Sequence, residues 1–471
     1  MKGMKHMKQK MISVMICSLG FLLVGVASAK PMNVLFISID DLRPEVGCYG
    51  VDEMLTPNID RLAAKGVQFK HAYCQYPVCN PSRASFLTGK RPDELGILSN
   101  RVALREKWPD IVTLPQLFRN NGYFTAGIGK ILHVGVDENG RQTQFRDDLS
   151  YDHQFKALGN NPKIGNTGEG RKLGDGSIGW AQWLAAEGSD EAQPDGMIAA
   201  EAVRVLEENH DNPFFIGVGF HKPHDPFFAP KEYFDLYPLD EVKLAEEPED
   251  RTPLLEKSIP DNYDRFSSFN DRDRREFKRA YHACTTFTDT QVGKVFAEMD
   301  RLKLWDSTIV LLMGDHGYHL GEHGWWNKVT VFELGSRAPL MMWVPGLESM
   351  GQATDSTVEF LDLYPTFIDL CGLEAPHKLS GKSLRPVLEN PSKVLENAAY
   401  TQVTRGKLMG YSVRNDRWRY IQWGVNGEAG TELYDHRKDE GEYYNLAENP
   451  EYKKVRKEMA KLLEEGFSAA Q

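Results

Sequence analysis

Short apolar runs alternate along this chain with segments of helical periodicity, and this alternation restricts the folds open to it. The first run, Asn33–Ile39, reads NVLFISI, which predicts a strand buried on both faces. An apolar stripe at helical spacing extends from 277 to 302. Further β-rich runs occupy positions 67–72, 123–128, 214–219, 308–313 and 340–344. Strands alternating with helices predict an α/β fold with a large, mostly parallel sheet sandwiched by helices.

The pattern changes after residue 388. Aromatic and β-branched runs fill positions 410–423, and a charged helical segment follows at 451–463. These features predict a small C-terminal α+β subdomain over 389–471, after a larger domain over 30–388. A segment rich in Gly, Asp and Asn at 135–179 is interpreted as surface loops rather than as a domain break.

The N-terminus has the three parts of a secretory signal peptide. Lysines precede an apolar stretch at 11–26, and the small residues Ala27, Ser28 and Ala29 supply a cleavage site. We therefore expect residues 1–29 to be removed and the protein to be exported, either to a periplasm or to the medium, with no stable membrane insertion afterwards. The alternative is an uncleaved membrane anchor, which the short apolar stretch disfavours.

The charge balance excludes one broad class of partner. The chain carries 67 Asp and Glu against 56 Lys and Arg, a formal net charge of −11. Phosphate-backbone binding depends on clustered basic residues, so nucleic acid is not an expected partner. Net charge averages over the whole surface, however, and leaves room for one cationic pocket that binds an anionic substrate.

Two pairs of ionisable residues follow predicted strands. Asp40 and Asp41 end the first strand, and Asp315 and His316 come just after the strand at 308–313. Ligands of open α/β sheets bind outside the carboxyl ends of the strands. Each pair alone is compatible with a helix cap or a turn, but three carboxylates at one sheet edge are typical of a site for Ca²⁺ or Mg²⁺.

The segment from Cys79 to Arg83 combines a cysteine, a proline and an arginine at a predicted helix start, with Pro81 as the first helical residue. The helix dipole and Arg83 would both favour a negative charge at Cys79. A cysteine phosphatase is one interpretation, but those enzymes separate cysteine and arginine by a longer spacing. A disulfide between Cys74 and Cys79 is the structural alternative. Cys284 lies on the apolar stripe and is interpreted as a core residue.

Cations and histidines follow the same predicted strands. Lys130 and His133 come after the strand at 123–128, and Lys328 lies a short loop beyond His316. The strand at 214–219 is followed by His221, Lys222 and His224. Individually, such residues are more often solvated charges than catalysts. Collected at one sheet edge with a metal and a cysteine, they predict a site for a tetrahedral oxyanion ester.

These residues resemble a known family. Positions 79–89, CNPSRASFLTG, are similar to the C-x-P-S-R-x-x-x-L-T-G signature of type I sulfatases, the formylglycine-dependent branch of the alkaline phosphatase superfamily. The stretches at 40–44, 219–227, 314–324 and 432–435 resemble the iduronate-2-sulfatase branch and its bacterial relatives. The resemblance extends over nearly the whole chain after the signal peptide, and it implies an alkaline phosphatase-like fold.

The resemblance implies an unusual nucleophile. In the family, the motif cysteine, here Cys79, is converted to Cα-formylglycine by a formylglycine-generating maturation enzyme. One hydroxyl of the hydrated aldehyde attacks the sulfate sulfur and expels the alcohol, and loss of a proton from the second hydroxyl eliminates the sulfate. One Ca²⁺ ion would be held by the modified residue 79 and by Asp40, Asp41, Asp315 and His316.

The resemblance also implies roles for the cations and histidines. Arg83 and Lys130 would stabilise the gem-diol oxygens, and His133 would accept the proton that triggers elimination. His221 and Lys328 would bind the sulfate, with His221 as the donor to the leaving oxygen. Each role is carried over from a matching position of the family motif.

The implied substrate is a sulfated oligosaccharide, cleaved by exo action, with a preference for a 2-O-sulfated uronic acid. Tyr318 stands where the family branch has Trp, and Val329 stands where it has an aromatic residue. The loops at 135–179 do not match closely. These departures concern the substrate rather than the chemistry. Two alternatives stay open: a phosphonate or phosphate ester hydrolase of the same superfamily, and a catalytically silent protein that binds sulfated glycans.

Overall fold

The computed structural model describes residues 31–133, 147–157, 167–395 and 397–467. The predicted signal peptide at 1–29 and part of the predicted loop region at 135–179 lie outside the described residues. Within the described ranges, no helix has both the length and the apolar character needed to cross a membrane.

The strands, in chain order, are β1 Asn33–Ile39, β2 Val67–Tyr73, β3 Phe124–Gly129, β4 His153–Phe155, β5 Gly168–Lys172, β6 Gln182–Ala186, β7 Phe214–Phe220, β8 Phe227–Pro230, β9 Thr308–Gly314, β10 Leu340–Trp343, β11 Gln352–Glu359, β12 Ala399–Arg405, β13 Leu408–Arg414, β14 Trp418–Trp423 and β15 Thr431–Asp435. The α-helices are α1 Pro57–Lys65, α2 Cys79–Thr88, α3 Pro92–Leu95, α4 Leu104–Lys107, α5 Leu114–Asn120, α6 Pro194–Asn209, α7 Lys231–Asp235, α8 Asp271–Arg301, α9 Glu333–Ser336, α10 Leu363–Cys371, α11 Arg385–Glu389 and α12 Lys453–Gly466.

A large mixed sheet forms the centre of the fold, with the strand order β11-β2-β10-β9-β1-β7-β3-β4. Strand β10 runs antiparallel to both of its neighbours, while the other described pairings in this sheet are parallel. The sequence predicted all of these strands except β4 and β11. It did not predict the direction of β10, because an apolar run carries no information on strand direction. The expected mostly parallel sheet is confirmed.

Helices cover both faces of this sheet. Every residue of β1 is buried, and its side chains alternate between two hydrophobic clusters. Phe36 packs with Phe367 of α10 on one face, and Ile37 packs with Val295 of α8 on the other. The sandwiched α/β fold predicted from strand–helix alternation is therefore confirmed, and Cys284 lies fully buried on α8, as expected of a core residue.

Helix α2 differs from its predicted bounds. It begins at Cys79 rather than at Pro81, and all of its residues are buried. Proline is tolerated throughout the first turn, because the N–H groups there have no helical partner. The alternative of a Cys74–Cys79 disulfide is wrong, since both cysteines are free thiols.

A second, smaller sheet lies near the C-terminus, with the antiparallel order β12-β13-β14-β15. Helix α12 packs on it through Met459 and Leu463, which join Val413 and Leu433 in one buried cluster. This arrangement matches the α+β character predicted for the C-terminal subdomain. The boundary after residue 388 stays a prediction.

Candidate active site

Three parallel strands of the large sheet end at the same level. The register pairs Ile39 at the end of β1 with Gly314 of β9 and with Phe220 of β7. The next residues along the chain, Asp40, Asp315 and His221, therefore emerge at one sheet edge. This edge is the carboxyl end of the strands, where ligands of α/β sheets bind.

Asp41, Asp315 and His316 form a compact group at this edge. The backbone N–H of Asp41 donates to Asp315 Oδ1 at 3.0 Å. His316 Nε2 lies 3.4 Å from Asp41 Oδ1 and 3.6 Å from Asp315 Oδ1, while its Nδ1 donates to the Gly317 carbonyl at 2.9 Å. That second bond fixes the tautomer, so Nε2 presents a lone pair to the carboxylates, as in a metal-ligating histidine.

Cys79 adds its sulfur to this group. Its Sγ atom lies 3.4 Å from His316 Nε2, and the ammonium of Lys328 donates to it at 3.1 Å. Burial, reinforced by the negative charge of Asp40, raises the pKa of the thiol to about 12. The stabilised thiolate expected from the helix dipole is therefore wrong, because burial in this acidic group outweighs it.

Arg83 and Lys130 bind the carboxylates rather than the cysteine. Arg83 Nε donates to Asp315 Oδ2 at 2.9 Å, and the ammonium of Lys130 forms an ion pair with Asp40 Oδ2. Burial alone would raise the pKa of Asp40, but Lys130 and neighbouring positive groups hold it well below its usual value. For Asp315, burial prevails and raises the pKa despite the attraction of His316 and Arg83.

One carboxylate oxygen in the group has no hydrogen-bond partner. Asp41 Oδ2 is buried and accepts no hydrogen bond, with His224 Nε2 4.0 Å away, whereas Asp41 Oδ1 contacts the ammonium of Lys328. Ligand atoms of Asp40, Cys79, Asp315 and His316 lie within 4.8 Å of one another, as do those of Asp40, Asp41, Cys79 and His224. An unpartnered buried carboxylate oxygen is costly unless something positive contacts it, so these residues fit a divalent cation.

The two histidines of the segment after β7 occupy different places. His224 Nε2 lies 4.0 Å from a carboxylate oxygen of both Asp40 and Asp41, and its side chain is 30% exposed. His221 belongs to neither of the two metal-ligand groups at this edge. Burial, reinforced by Lys130, lowers the pKa of His221 to about 3, so its imidazole is neutral at pH 7.

His133 is also at the edge, with a buried Nδ1 that has no hydrogen-bond partner. Burial and the nearby Lys130 lower its pKa to about 2. The described part of the chain thus brings together all the residues selected from the sequence: Asp40, Asp41, Cys79, Arg83, Lys130, His133, His221, Asp315, His316 and Lys328.

Sequence reasoning gave no role to two contributors. His224 was expected at this edge with His221 but was assigned no function there, and Asp195 was not selected at all. The carboxylate of buried Asp195 accepts the backbone N–H groups of His221 at 2.9 Å and of Lys222 at 2.7 Å. Two histidines in one polar loop were the available signal for His224. Asp195 begins a helix in a distant segment and gave no signal.

Comparisons with known proteins identify the family to which the chain belongs. Residues 32–373 match the family model described as Sulfatase, and residues 321–468 match the model of the N-sulphoglucosamine sulphohydrolase C-terminal region. Iduronate 2-sulfatase of Mus musculus is 32% identical over 486 residues, which cover 85% of this chain and 86% of that protein.

Two solved structures share the fold. A protein in complex with its substrate D-glucosamine-2-N,6-O-disulfate has a TM-score of 0.74 at 24% identity, covering 94% of this chain and 98% of its own. The phosphonate monoester hydrolase of Agrobacterium radiobacter also has a TM-score of 0.74, at 20% identity, covering 93% and 96%. Fold and site together define a hydrolase with the alkaline phosphatase architecture. The chain belongs to the sulfatase family, and it is a sulfuric ester hydrolase.

Proposed function

We propose that this protein is an exported, exo-acting sulfatase that hydrolyses sulfate esters of sulfated glycans, with a preference for 2-O-sulfated uronic acid. One observation carries the proposal: Cys79 of the C-x-P-S-R motif lies at the start of a buried helix, between Lys328 and the acidic group. The similarity to an iduronate 2-sulfatase over 85% of the chain supports the choice of sugar. The basic and apolar N-terminus supports export.

Asp40, Asp41, Asp315 and His316 would hold one Ca²⁺ ion together with residue 79. The bound cation would polarise a sulfate oxygen and favour deprotonation of the attacking hydroxyl. The protein residues supply the geometry: Asp315 Oδ1 accepts the Asp41 N–H, which fixes the two carboxylates relative to each other. Arg83 holds Asp315 from the far side through a bond of 2.9 Å.

Residue 79 would act as Cα-formylglycine, whose hydrated aldehyde supplies the attacking oxygen. An ordinary cysteine here would be a poor nucleophile, because its raised pKa keeps the thiol protonated at neutral pH. Helix α2 is buried along its whole length. The maturation enzyme, the proposed protein partner, would therefore need access to the motif before the chain has folded.

Cations on two sides of residue 79 would neutralise the charge of the sulfate. The Lys328 ammonium already contacts the sulfur of residue 79, and the Lys130 ammonium pairs with Asp40. Fixed cations in a buried site stabilise developing negative charge more strongly than they would in water. Lys328 would bind the sulfate oxygens, while Arg83 and Lys130 would stabilise the oxygens on residue 79.

Two proton transfers need a base and an acid. His133 is the base that the motif implies, and its buried Nδ1 has no hydrogen-bond partner in the described part of the protein, so it is free to accept the proton that releases sulfate from residue 79. His221 is the donor that the motif implies for the leaving oxygen. His224 is a second candidate donor, because it is partly exposed and lies closer to the acidic group.

A phosphonate or phosphate ester hydrolase is the second candidate function. The same TM-score for the phosphonate monoester hydrolase means that the fold does not separate the two chemistries. A cationic site around a hydroxyl nucleophile would also accept a phosphonate monoester. The proposal of sulfate esters rests on the family model and on the iduronate 2-sulfatase relative.

Parallel assays of matured protein with an aryl sulfate and an aryl phosphonate monoester test this proposal. We expect kcat/KM to be higher for the sulfate, with no turnover of either ester by Cys79→Ala. A higher kcat/KM for the phosphonate would overturn the proposal in favour of the second candidate. Turnover of neither ester by protein with an aldehyde at residue 79 would contradict both.

A further inference from the structure

The loop between β9 and α9 carries Lys328, and the next residue has an unusual backbone conformation. Val329 has a φ of +73°. A β-branched side chain is strongly disfavoured at positive φ, because its branched Cβ crowds the backbone. Within the described residues, Val329 is the only β-branched residue in this conformation; the other non-glycine residues with positive φ are Asp41, Lys303, His323, Asn426 and Glu442.

Contacts from three segments hold Val329 in place. Its backbone N–H donates to the Pro77 carbonyl at 3.2 Å, just before the motif helix. Its carbonyl accepts a bond of 2.7 Å from a terminal nitrogen of Arg405, the last residue of β12. The carbonyl of Lys328 accepts the indole N–H of Trp325 at 2.7 Å. The peptide groups on both sides of the strained residue are therefore fixed.

Arg405 is an unusual partner for a backbone carbonyl. The residue is 7% exposed, and within the described ranges no carboxylate lies within ion-pair distance of its guanidinium. Its other hydrogen bonds go to the carbonyls of Lys257, Thr404 and Ser258, and it stacks over the Trp423 ring at 5.3 Å. A buried charge without a contacting counter-charge is costly, and here only the more distant Asp261 and Glu432 offset it, which points to a purpose other than stability.

We propose that Arg405 is a positioning residue for Lys328: it holds Val329 in its strained conformation and thereby fixes the Lys328 ammonium beside residue 79. The inference rests on the proposed function, in which Lys328 binds the sulfate. It assigns to the C-terminal sheet a part in arranging the active site, although Arg405 itself does not contact the cysteine. Lysine at 405 keeps the charge but loses the planar fork that bonds several carbonyls at once.

Arg405→Lys is the first test. We expect kcat/KM for an aryl sulfate to fall about tenfold, mainly in kcat, because Lys328 would stabilise the transition state from a displaced position. The matched control is Arg437→Lys, at an exposed arginine of the same subdomain that pairs with Asp416. We expect the melting temperature and the kcat/KM of this control to equal those of the wild type. An unchanged kcat/KM in Arg405→Lys would overturn the inference.

Val329→Gly provides a rescue. Glycine adopts a φ of +73° without steric cost, so the loop would no longer need Arg405 to hold it there. We expect Val329→Gly to restore most of the kcat/KM that Arg405→Lys loses. If the double variant is as impaired as Arg405→Lys alone, backbone strain is not the link between Arg405 and Lys328, and the inference is wrong.

A double-mutant cycle and a crystal structure separate this inference from the proposed function. With Lys328→Ala as background, Arg405→Lys should cause little further loss of kcat/KM. Equal losses in both backgrounds would show that Arg405 acts elsewhere, which would contradict this inference and leave the proposed function unaffected.

In a crystal structure of Arg405→Lys, we expect Val329 to leave positive φ and the Lys328 Nζ–Cys79 Sγ distance to exceed 3.1 Å. If Lys328 is displaced in Arg405→Lys but the wild-type protein releases no sulfate, the proposed function is wrong. The positioning of Lys328 by Arg405 would then still hold.

Discussion

Within the described residues, acids and histidines come close enough together to hold a metal ion at two places in the molecule, yet the surroundings of the two places differ. The first is the acidic group at residue 79. The second group consists of Glu333, His436 and Glu442, where the start of α9 meets the segment after β15. Both are deeply buried, so proximity and burial alone do not separate a binding site from a structural contact.

In the second group, cations and hydrogen-bond donors of the protein satisfy the carboxylates. Arg419 contacts Glu333 Oε2 and Glu442 Oε1, each at 2.5 Å, and Tyr73 donates to Glu333 Oε1 at 3.0 Å. The backbone N–H of Glu333 donates to Glu442 Oε2 at 2.7 Å. Despite burial, the positive groups lower the pKa of both carboxyls, with His436 and Arg414 acting mainly on Glu333 and Arg419 on Glu442. These carboxylates have no need of an added cation.

In the first group, Asp41 Oδ2 has no hydrogen-bond partner, and burial raises the pKa of Asp315. Burial alone would also raise the pKa of Asp41, but His224 and Lys328 lower it. Positive charge in this group is therefore incomplete at Asp315. The number of acids therefore does not distinguish a ligand site from an internal ion-pair network. The two differ in whether negative charge on the carboxylates is left without a neutralising positive group.

The largest expected effect comes from the nucleophile. Cys79→Ala should lower kcat/KM by at least about 10⁴-fold, because no other group replaces the attacking oxygen. The free energy of unfolding should change by no more than about 1 kcal/mol, since alanine is tolerated at a buried cysteine site. Cys284→Ala makes the same substitution in the core, and it should keep wild-type activity. Residual turnover by Cys79→Ala would refute the nucleophile assignment.

Asp315→Asn should lower kcat/KM by about 10³-fold and abolish the effect of a chelator, because it removes one negative charge from the proposed cation site. Wild-type protein should lose activity in a chelator and regain it with added Ca²⁺. Glu442→Gln removes a charge of the same sign from the second group. Its metal content and kcat/KM should stay unchanged, and a loss of bound metal there would break the comparison.

Glu442→Gln should instead destabilise the fold. It leaves the buried Arg419 with one counter-charge fewer, and breaking such a pair costs about 3–5 kcal/mol. Urea unfolding at pH 7 measures this difference. The prediction is wrong if the free energy of unfolding of Glu442→Gln equals that of the wild type.

The smallest expected effect is in the pH dependence of stability. The pKa of Glu442 is lowered from its usual 4.5 in the folded state, so its contribution is present above pH 4.5 and lost as the pH falls through the lowered value. The stability difference between the wild type and Glu442→Gln should be constant from about pH 7 to 5 and narrow below, by at most ~1.4 kcal/mol per pH unit. Urea unfolding across this range provides the measurement, and a gap that widens on acidification would contradict the sign of the shift.

The sequence predicted the parts of the fold that depend on local patterns. Buried strands such as β1 and β9 consist mostly of apolar residues, and the motif at Cys79 marked the site. The direction of β10 was not predictable, because it depends on how the chain returns to the sheet. Local sequence also did not indicate which histidine of the HKPH stretch approaches the acids, because both lie in the same loop.

Contacts between distant segments could not be predicted either, because they depend on how the chain packs and not on local sequence. Arg405 and Val329 are 76 residues apart, and their bond exists only because the C-terminal sheet packs beside the loop after β9. Val329 drew notice in the sequence only as a departure from the family pattern. The positive φ that makes Val329 a strained residue is a property of the folded backbone and cannot be read from the sequence.

The most direct test of the proposed chemistry and specificity is sulfate release from two disaccharides by matured protein, with residue 79 identified by mass spectrometry. One disaccharide ends in a 2-O-sulfated uronic acid, and the other carries only a hexosamine 6-sulfate. We expect an aldehyde at residue 79 and sulfate release from the uronate alone. Release from the hexosamine alone would contradict the proposed specificity, and release from the uronate by protein with an unmodified cysteine would contradict the proposed chemistry.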